Sequence, residues 1–285
     1  FKALDRFLLD YKFRYLQQED PNDEIVLVTI DERSLSHFNE QRMYWPWPRN
    51  FYQIVTDYFD SFGARLVVYD ILFDTPDFDR RNLSGSMSDK RFASSLQNSN
   101  NAILSFKSTV ASDSVQPTAN DYPYIQALNI KNEAPYQRPH ILNSRPIPKF
   151  AEAARSIGNT VVQPDQDGLI RSVHLFDSLA HKGFVPTLSM AAFSELKSDT
   201  ISYEWTDQGL RGDTEIPLQE SGDYLINWYE KGGVQDGTFP YYSFSDVVRS
   251  AINYRRGNKS ADSLLVPPDI IDDKIVLVGA SAAGL

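Results

Sequence analysis

Cysteine is absent from the 285 residues, which excludes disulfides, thiol catalysis and any Cys-ligated zinc or iron–sulfur centre. No apolar run approaches the ~20 residues that cross a bilayer. Positive charge is in deficit, since 28 Lys plus Arg against 38 Asp plus Glu leave a net charge of −10. A chain this acidic lacks the basic face that nucleic acid or anionic lipid headgroups need, so neither is expected as a main partner. The Gly-x-Ser-x-Gly elbow is missing, and His37, His140, His174 and His181 show no metal-ligand spacing. Nothing therefore supports an acyl-transfer triad, and no cofactor is expected. What is present is ordinary globular composition, 41% hydrophobic and 23% charged, which predicts a folded core rather than disorder. The chain opens on Phe1 and ends at Leu285 directly after a strand signal. It reads as a soluble piece of a longer protein, with transmembrane segments expected outside it.

Periodicity predicts one α/β domain with a mostly parallel sheet, helices on both faces and antiparallel hairpins in the C-terminal half. Residues 1–16 read as a helix in which Phe1, Leu4, Leu8, Tyr11 and Tyr15 form a heptad-like seam. It either packs on its own domain or continues as a dimer stalk. The run Ile25–Ile30 has the pattern of a strand buried on both faces. Pro48 opens a helix that Gly63 ends, and Leu66–Phe73 is a second strand, making a βαβ unit. A helix near Lys90–Gln97 and a strand over Ala102–Phe106 follow. Residues 107–146 turn polar and proline-rich and read as a surface excursion. Pro148 opens a helix running to Gly158, and a hairpin turns at Pro164–Gly168 between Thr160–Gln163 and Leu169–Phe176. A helix over Pro186–Lys197, a hairpin over Ile201–Leu218, a strand at Tyr224–Tyr229, a helix capped by Ser243 or Ser245 and a strand at Ile275–Gly279 complete the pattern.

Ligands of an open parallel sheet sit beyond the carboxyl ends of its strands. Those ends carry Asp31, Asp70 and Gly279–Ser281. Asp31 and Asp70 lie roughly 5 Å apart if their strands are neighbours, or about twice that with one strand between. Either they share a cleft or each caps the loop or helix that follows. Arg49 falls in the first turn of its helix, where the macrodipole disfavours a cation. Something anionic should offset this, with Asp31, Asp70 and an external anion as candidates. Trp45 and Trp47 flank Pro46 and form either a ligand wall or a cover for the core. Arg171 can reach the same cleft or pair across its hairpin. The candidate ligand-binding set is thus Asp31, Trp45, Trp47, Arg49, Asp70, Arg171 and Ser281. The acidic run Asp70, Asp74, Asp77 and Asp79 offers weak metal candidates, chiefly Asp70 and Asp74. Asp165–Gly168 fails as a calcium loop, because Gln163 and His174 fall where Asp and Glu belong. Gly279–Gly284 fails as a phosphate loop, because Leu285 stands where lysine should be.

The strings IVLVTIDERSL (25–35), YWPWPRNFYQIV (44–55) and FGARLVVYDILFD (62–74) resemble the type 2 CHASE domain, a cyclase/histidine-kinase-associated sensory extracellular domain. Further marks follow in order at 146–176, 185–192, 224–229, 241–248 and 272–285, so the resemblance spans nearly the whole chain. It implies a sensory module on the extracytoplasmic side of a bacterial cytoplasmic membrane, held by flanking membrane helices. Such a module regulates a cytoplasmic output such as an adenylate or guanylate cyclase, a histidine kinase or a Ser/Thr kinase. On this reading residues 1–16 are a juxtamembrane stalk and residues 17–285 the sensory domain, not itself an enzyme. It binds an unidentified small molecule or ion and works as a homodimer. Two other readings stand beside it: a ligand-free structural or dimerisation module, and a metal-dependent hydrolase using Asp31, Asp70 and Asp74.

Overall fold

The computed structural model describes residues 8–13, 22–111, 122–131, 139–179, 182–197, 202–219, 221–229, 237–258, 260 and 263–283. After a helical segment at 8–13 come β1 (Ile25–Ile30), α1 (Glu32–Glu40), α2 (Arg49–Ser61), β2 (Leu66–Asp70), α3 (Gly85–Ser99) and β3 (Ala102–Val110). The middle of the chain supplies β4 (Asn129–Lys131), β5 (Pro139–Ser144), α4 (Pro148–Ala153), β6 (Ser156–Asn159), β7 (Ser172–Val173), β8 (Phe176–Leu179), β9 (Gly183–Pro186) and α5 (Leu188–Leu196). The last third adds β10 (Ser202–Thr206), β11 (Gly209–Arg211), β12 (Glu215–Pro217), β13 (Tyr224–Leu225), β14 (Tyr241–Ser243), α6 (Phe244–Arg255) and β15 (Ile275–Ala280). Among the described residues no helix is long and apolar enough to cross a membrane.

Six strands run parallel in the order β14-β1-β15-β2-β3-β6. The last strand of the chain lies between the first two, with Val276 opposite both Val26 and Val67. The βαβ unit from β1 to β2 is therefore parallel but split by β15. Alternation along the strands sorts the core into two layers. Val26, Val28, Ile30, Val67, Tyr69, Val276 and Val278 face a layer that includes Phe38, Tyr52, Phe59, Phe92, Phe150 and Phe244 from α1, α2, α3, α4 and α6. Leu66, Val68 and Ile103 face α5 through Ala191 and Leu188 on the opposite side. β1 is buried on one face and only half-covered on the other, so the expectation of a doubly buried strand is corrected there.

β3 outruns the parallel sheet. Its first half pairs with β2 and β6, and from Lys107 its second half pairs antiparallel with β5, with a register shift inside that pairing between Lys107 and Ser108. β5, β8 and β9 then extend the sheet. The stretch 107–146 is thus no simple surface excursion, because its two ends form this pair and Tyr122 and Ile125 are buried against Phe106. The helix opened by Pro148 stops at Ala153, and Gly158 lies in β6 instead of ending a helix. A Cβ on Gly158 would meet the Leu188 Cα at 2.5 Å, so glycine is needed there for the close approach of α5. The turn at 165–169 forms through Asp165 and Gly168, but its arms pair elsewhere, β7 with β13 and β8 with β9.

The N-terminus of α2 has no cap of its own, since Pro48 offers no side-chain acceptor. Two side chains from a distance satisfy its free amides. The Arg49 N–H donates to Asp77 Oδ2 at 2.9 Å and the Asn50 N–H to Ser88 Oγ at 3.0 Å. Burial on its own would push the Asp77 carboxyl up, but hydrogen bonds from the Ser88 hydroxyl, the Arg49 amide and Arg80 outweigh it and hold the carboxyl below its ordinary value. A carboxyl depressed by folding stabilises the fold above its unfolded pKa, and that contribution is lost as pH falls through the folded value. Asp77→Ala is therefore expected to lower stability by about 2 kcal/mol at neutral pH. In denaturant titrations the gap from the unmodified chain should narrow below about pH 4, and a gap independent of pH would contradict this account.

Candidate functional site

Parallel pairing brings Ser243, Asp31, Ser281 and Asp70 to one edge of the sheet, at the ends of β14, β1, β15 and β2. Asp31 and Asp70 are separated by one strand, about 10 Å across the sheet. Their side chains do not open onto a shared cleft. Asp31 is buried and caps α1, accepting from the Ser34 N–H at 2.8 Å and from the Ser243 hydroxyl. Asp70 is exposed and accepts from the Thr160 hydroxyl. The Ser281 hydroxyl lies 3.1 Å from that of Tyr241. Asp74 accepts from the Ser144 hydroxyl at 2.6 Å, and Asp79 from the Gly85 N–H at 2.9 Å. Among the described residues no group of three or more His, Asp or Glu is placed to hold a metal ion.

Arg49 has the anionic surroundings that its position in the helix demands, but they are not those expected. Its guanidinium is buried, donates to the Thr75 carbonyl at 3.2 Å and lies 5.0 Å from the centre of the Phe73 ring. Its charge acts on Asp89, whose carboxyl is pushed up by burial and drawn back by an amide of Asp77 and by Arg49. Asp77 and Asp89 thus take the part assigned to Asp31 and Asp70. Trp47 is fully buried and stacks on Phe244 at 5.5 Å, with Phe38 edge-on at 4.6 Å. Trp45 meets Trp47 edge-on at 5.2 Å. Trp47 belongs to the core, and its indole is closed to a ligand.

Arg171 pairs across its own turn and also far beyond it. Its side chain is 7% exposed and contacts Asp165 at 2.8 Å and Asp167 at 2.9 Å. It also makes a two-pronged bond to Asp10, at 2.7 and 2.9 Å, in the helical segment at 8–13. These three partners drive its pKa further up. Arg171 thus fastens the helical segment at 8–13 to the domain. Leu8 and Tyr11 on that helix are 54% and 50% exposed. Phe1, Leu4 and Tyr15, the rest of the seam, lie outside the described residues.

The region that sequence reasoning missed is a cavity of about 370 Å³ in the C-terminal half. Residues 161–165, 172–178 and 221–223 wall it, with His140 and Trp205. Two imidazole–carboxylate pairs line it, His140 with Asp177 at 3.4 Å and His174 with Asp223 at 2.5 Å. Behind the first pair, Ser108 Oγ lies 2.9 Å from His140 Nδ1, and the Asn159 amide reaches Ser108 Oγ at 2.8 Å and Asp177 Oδ2 at 2.6 Å. Serine, histidine and aspartate in line suggest a hydrolytic triad. Yet Ser108 is 0% exposed and absent from the cavity wall, so no substrate reaches its hydroxyl. The group instead ties β3, β5, β6 and β8 together. No spacing rule joins residues 108, 140, 159 and 177, and the pairing of β3 with β6 and β5 and of β5 with β8 brings them together.

These features define a mixed α/β domain that holds an N-terminal helix on one side and a polar cavity in its C-terminal half, with Asp31 at the end of β1 capping α1. The family model described as the CHASE2 domain matches residues 1–285, the whole chain. The chain belongs to the CHASE2 family, whose members are extracellular sensory domains of receptors. No curated protein and no solved structure matches it.

Removing the Asn159 side chain takes a partner from the Ser108 N–H, the Ser108 hydroxyl and the Asp177 carboxylate at once, all of them buried. Asn159→Ala should cost about 3 kcal/mol in equilibrium unfolding, and a loss under about 1 kcal/mol would show that the four-strand junction does not depend on this network.

Proposed function

We propose that the chain is the signal-input domain of a bacterial membrane receptor, placed on the extracytoplasmic side and flanked by membrane helices. Its conformation biases a cytoplasmic output such as an adenylate or guanylate cyclase, a histidine kinase or a Ser/Thr kinase. Family membership supports the class, and the observation that carries the mechanism is the bond between Arg171 and Asp10. A sensory domain must pass its state to the segment that leads to the membrane. Here the helix at 8–13 is held by a residue whose other partners, Asp165 and Asp167, belong to a turn of the sensory body. A ligand acts through such a device by binding two arrangements of the turn with different affinity.

The receptor works as a homodimer on this reading, and the seam is the outward side of the same helix. Large exposed apolar side chains gather around the clamp. Leu8 and Tyr11 lie on the helix, Leu169 and Ile170 precede Arg171 in the chain, and Trp228 donates its indole N–H to the Ile170 carbonyl. A second copy related by a two-fold axis would cover its own equivalent patch. The fragment alone lacks the avidity of the membrane anchors, so the test belongs in the intact receptor.

Because the domain contains no cysteine, a single introduced thiol reports its own neighbourhood. Leu8→Cys or Tyr11→Cys in the membrane-embedded receptor should crosslink two protomers under mild oxidation, and failure at both positions would remove the seam. Arg171→Gln and Asp10→Asn should each alter basal output of the intact receptor, and unchanged output in both would remove the clamp.

A further inference from the structure

We infer that the cavity of the C-terminal half is a binding site for a small organic cation, an aliphatic or aromatic amine, and that Asp165 links its occupancy to the N-terminal helix. The volume, about 370 Å³, is that of a small-ligand site. Among the described residues Asp165, Asp177 and Asp223 line it with no Lys or Arg, and His140 and His174 pair with Asp177 and Asp223. Arg171 reaches Asp165 but is shared with Asp10 and Asp167, so carboxylates outnumber guanidinium groups around the cavity. Two of the lining groups, His140 and Asp177, have side chains only 5% exposed, so they are polar groups built into the wall and not a solvated acidic surface. Val161, Val173, Leu175 and Trp205 line the cavity too. Carboxylates together with an indole and aliphatic side chains suit an ammonium group carried on an apolar body, because an aromatic ring and the anions both attract a cation. An anion would meet repulsion, and a neutral polyol would forgo the charge.

Asp165 belongs both to the cavity wall and to the clamp. An ammonium that engages Asp165 competes with Arg171 for its oxygens and loosens the turn that presents Arg171 to Asp10. The linkage half of this inference rests on the receptor reading above, whereas the binding half does not. Reciprocity follows, because a group displaced by the ligand opposes its binding.

The test uses three four-carbon probes on the purified 285-residue chain: 1,4-diaminobutane, 1,4-butanediol and succinate. Calorimetric titration and thermal unfolding should show saturable binding and a raised Tm for the diamine alone. Asp223→Asn, a change at the half-open wall outside the four-strand junction, should weaken diamine binding by about tenfold or more. Arg171→Gln should leave it equal or tighter. Equal responses to diamine and diol, preference for succinate, or unaltered diamine affinity in Asp223→Asn would each overturn the site. Weakened binding in Arg171→Gln would overturn the competition at Asp165 alone. None of these readings involves receptor output, so loss of the amine site and loss of the signal-input reading are told apart.

Discussion

The architecture turns on the point where β3 changes partners. A parallel sheet and an antiparallel extension place their backbone hydrogen bonds differently, and here one strand serves both. β3 passes from β6 to β5 between Phe106 and Lys107, and its register against β5 shifts between Lys107 and Ser108. Ser108, His140, Asn159 and Asp177 satisfy one another there, all less than a tenth exposed. A buried polar network is costly when half made and strongly specifying when complete. Here it sets where β5 and β8 hang on the parallel sheet, and so where the cavity wall containing His140 and Asp177 stands. The cavity is a by-product of the junction: the groups that close the sheet on one side form the cavity wall on the other.

Most of the parallel half was legible in the sequence. Apolar runs such as Leu66–Asp70 and Ile275–Ala280, and helix signals at Pro48 and Gly63, are local patterns, and local patterns survive folding. α1 escaped notice because only Ser34 and Phe38 are buried on it, too few for a visible apolar stripe. The short β6 was hidden because a helical spacing, Phe150, Ala153, Ala154, Ile157, runs straight into it. The seam in 107–146 stayed hidden because a chain-long polar stretch reads as surface unless its partners are known. Short strands such as β7 and β13 pair across about fifty residues and carry no periodic signature at all.

The site was legible in its physics more than in its residues. A cation in the first turn of α2 demanded a nearby negative charge, and one is there. It comes from Asp77 and Asp89, whose approach depends on how the 71–84 segment folds back over the helix. The strand ends do collect acidic side chains at one edge, as parallel pairing requires. Asp31 is taken up by capping α1 and by Ser243, whereas Asp70 stays exposed and accepts from Thr160. Arg171 was the residue whose role sequence left open, and its farthest partner, Asp10, is separated by 161 positions.

The β3 junction and the Arg171 clamp differ as polar clusters. The β3 junction is buried and its four side chains bond to one another, so the arrangement holds in a single form. The Arg171 clamp has a buried cation and open anions: Asp10, Asp165 and Asp167 are 46%, 30% and 39% exposed. Each carboxylate can exchange the guanidinium for water at little cost, and ion pairs with such exposed partners contribute modestly. Three weak claims on one cation form a contact that can be redistributed without unfolding anything. Rigidity where strands change partners and exchangeability where the helix at 8–13 is held are together what the proposed signal input would require, because the turn can shift against a body that does not.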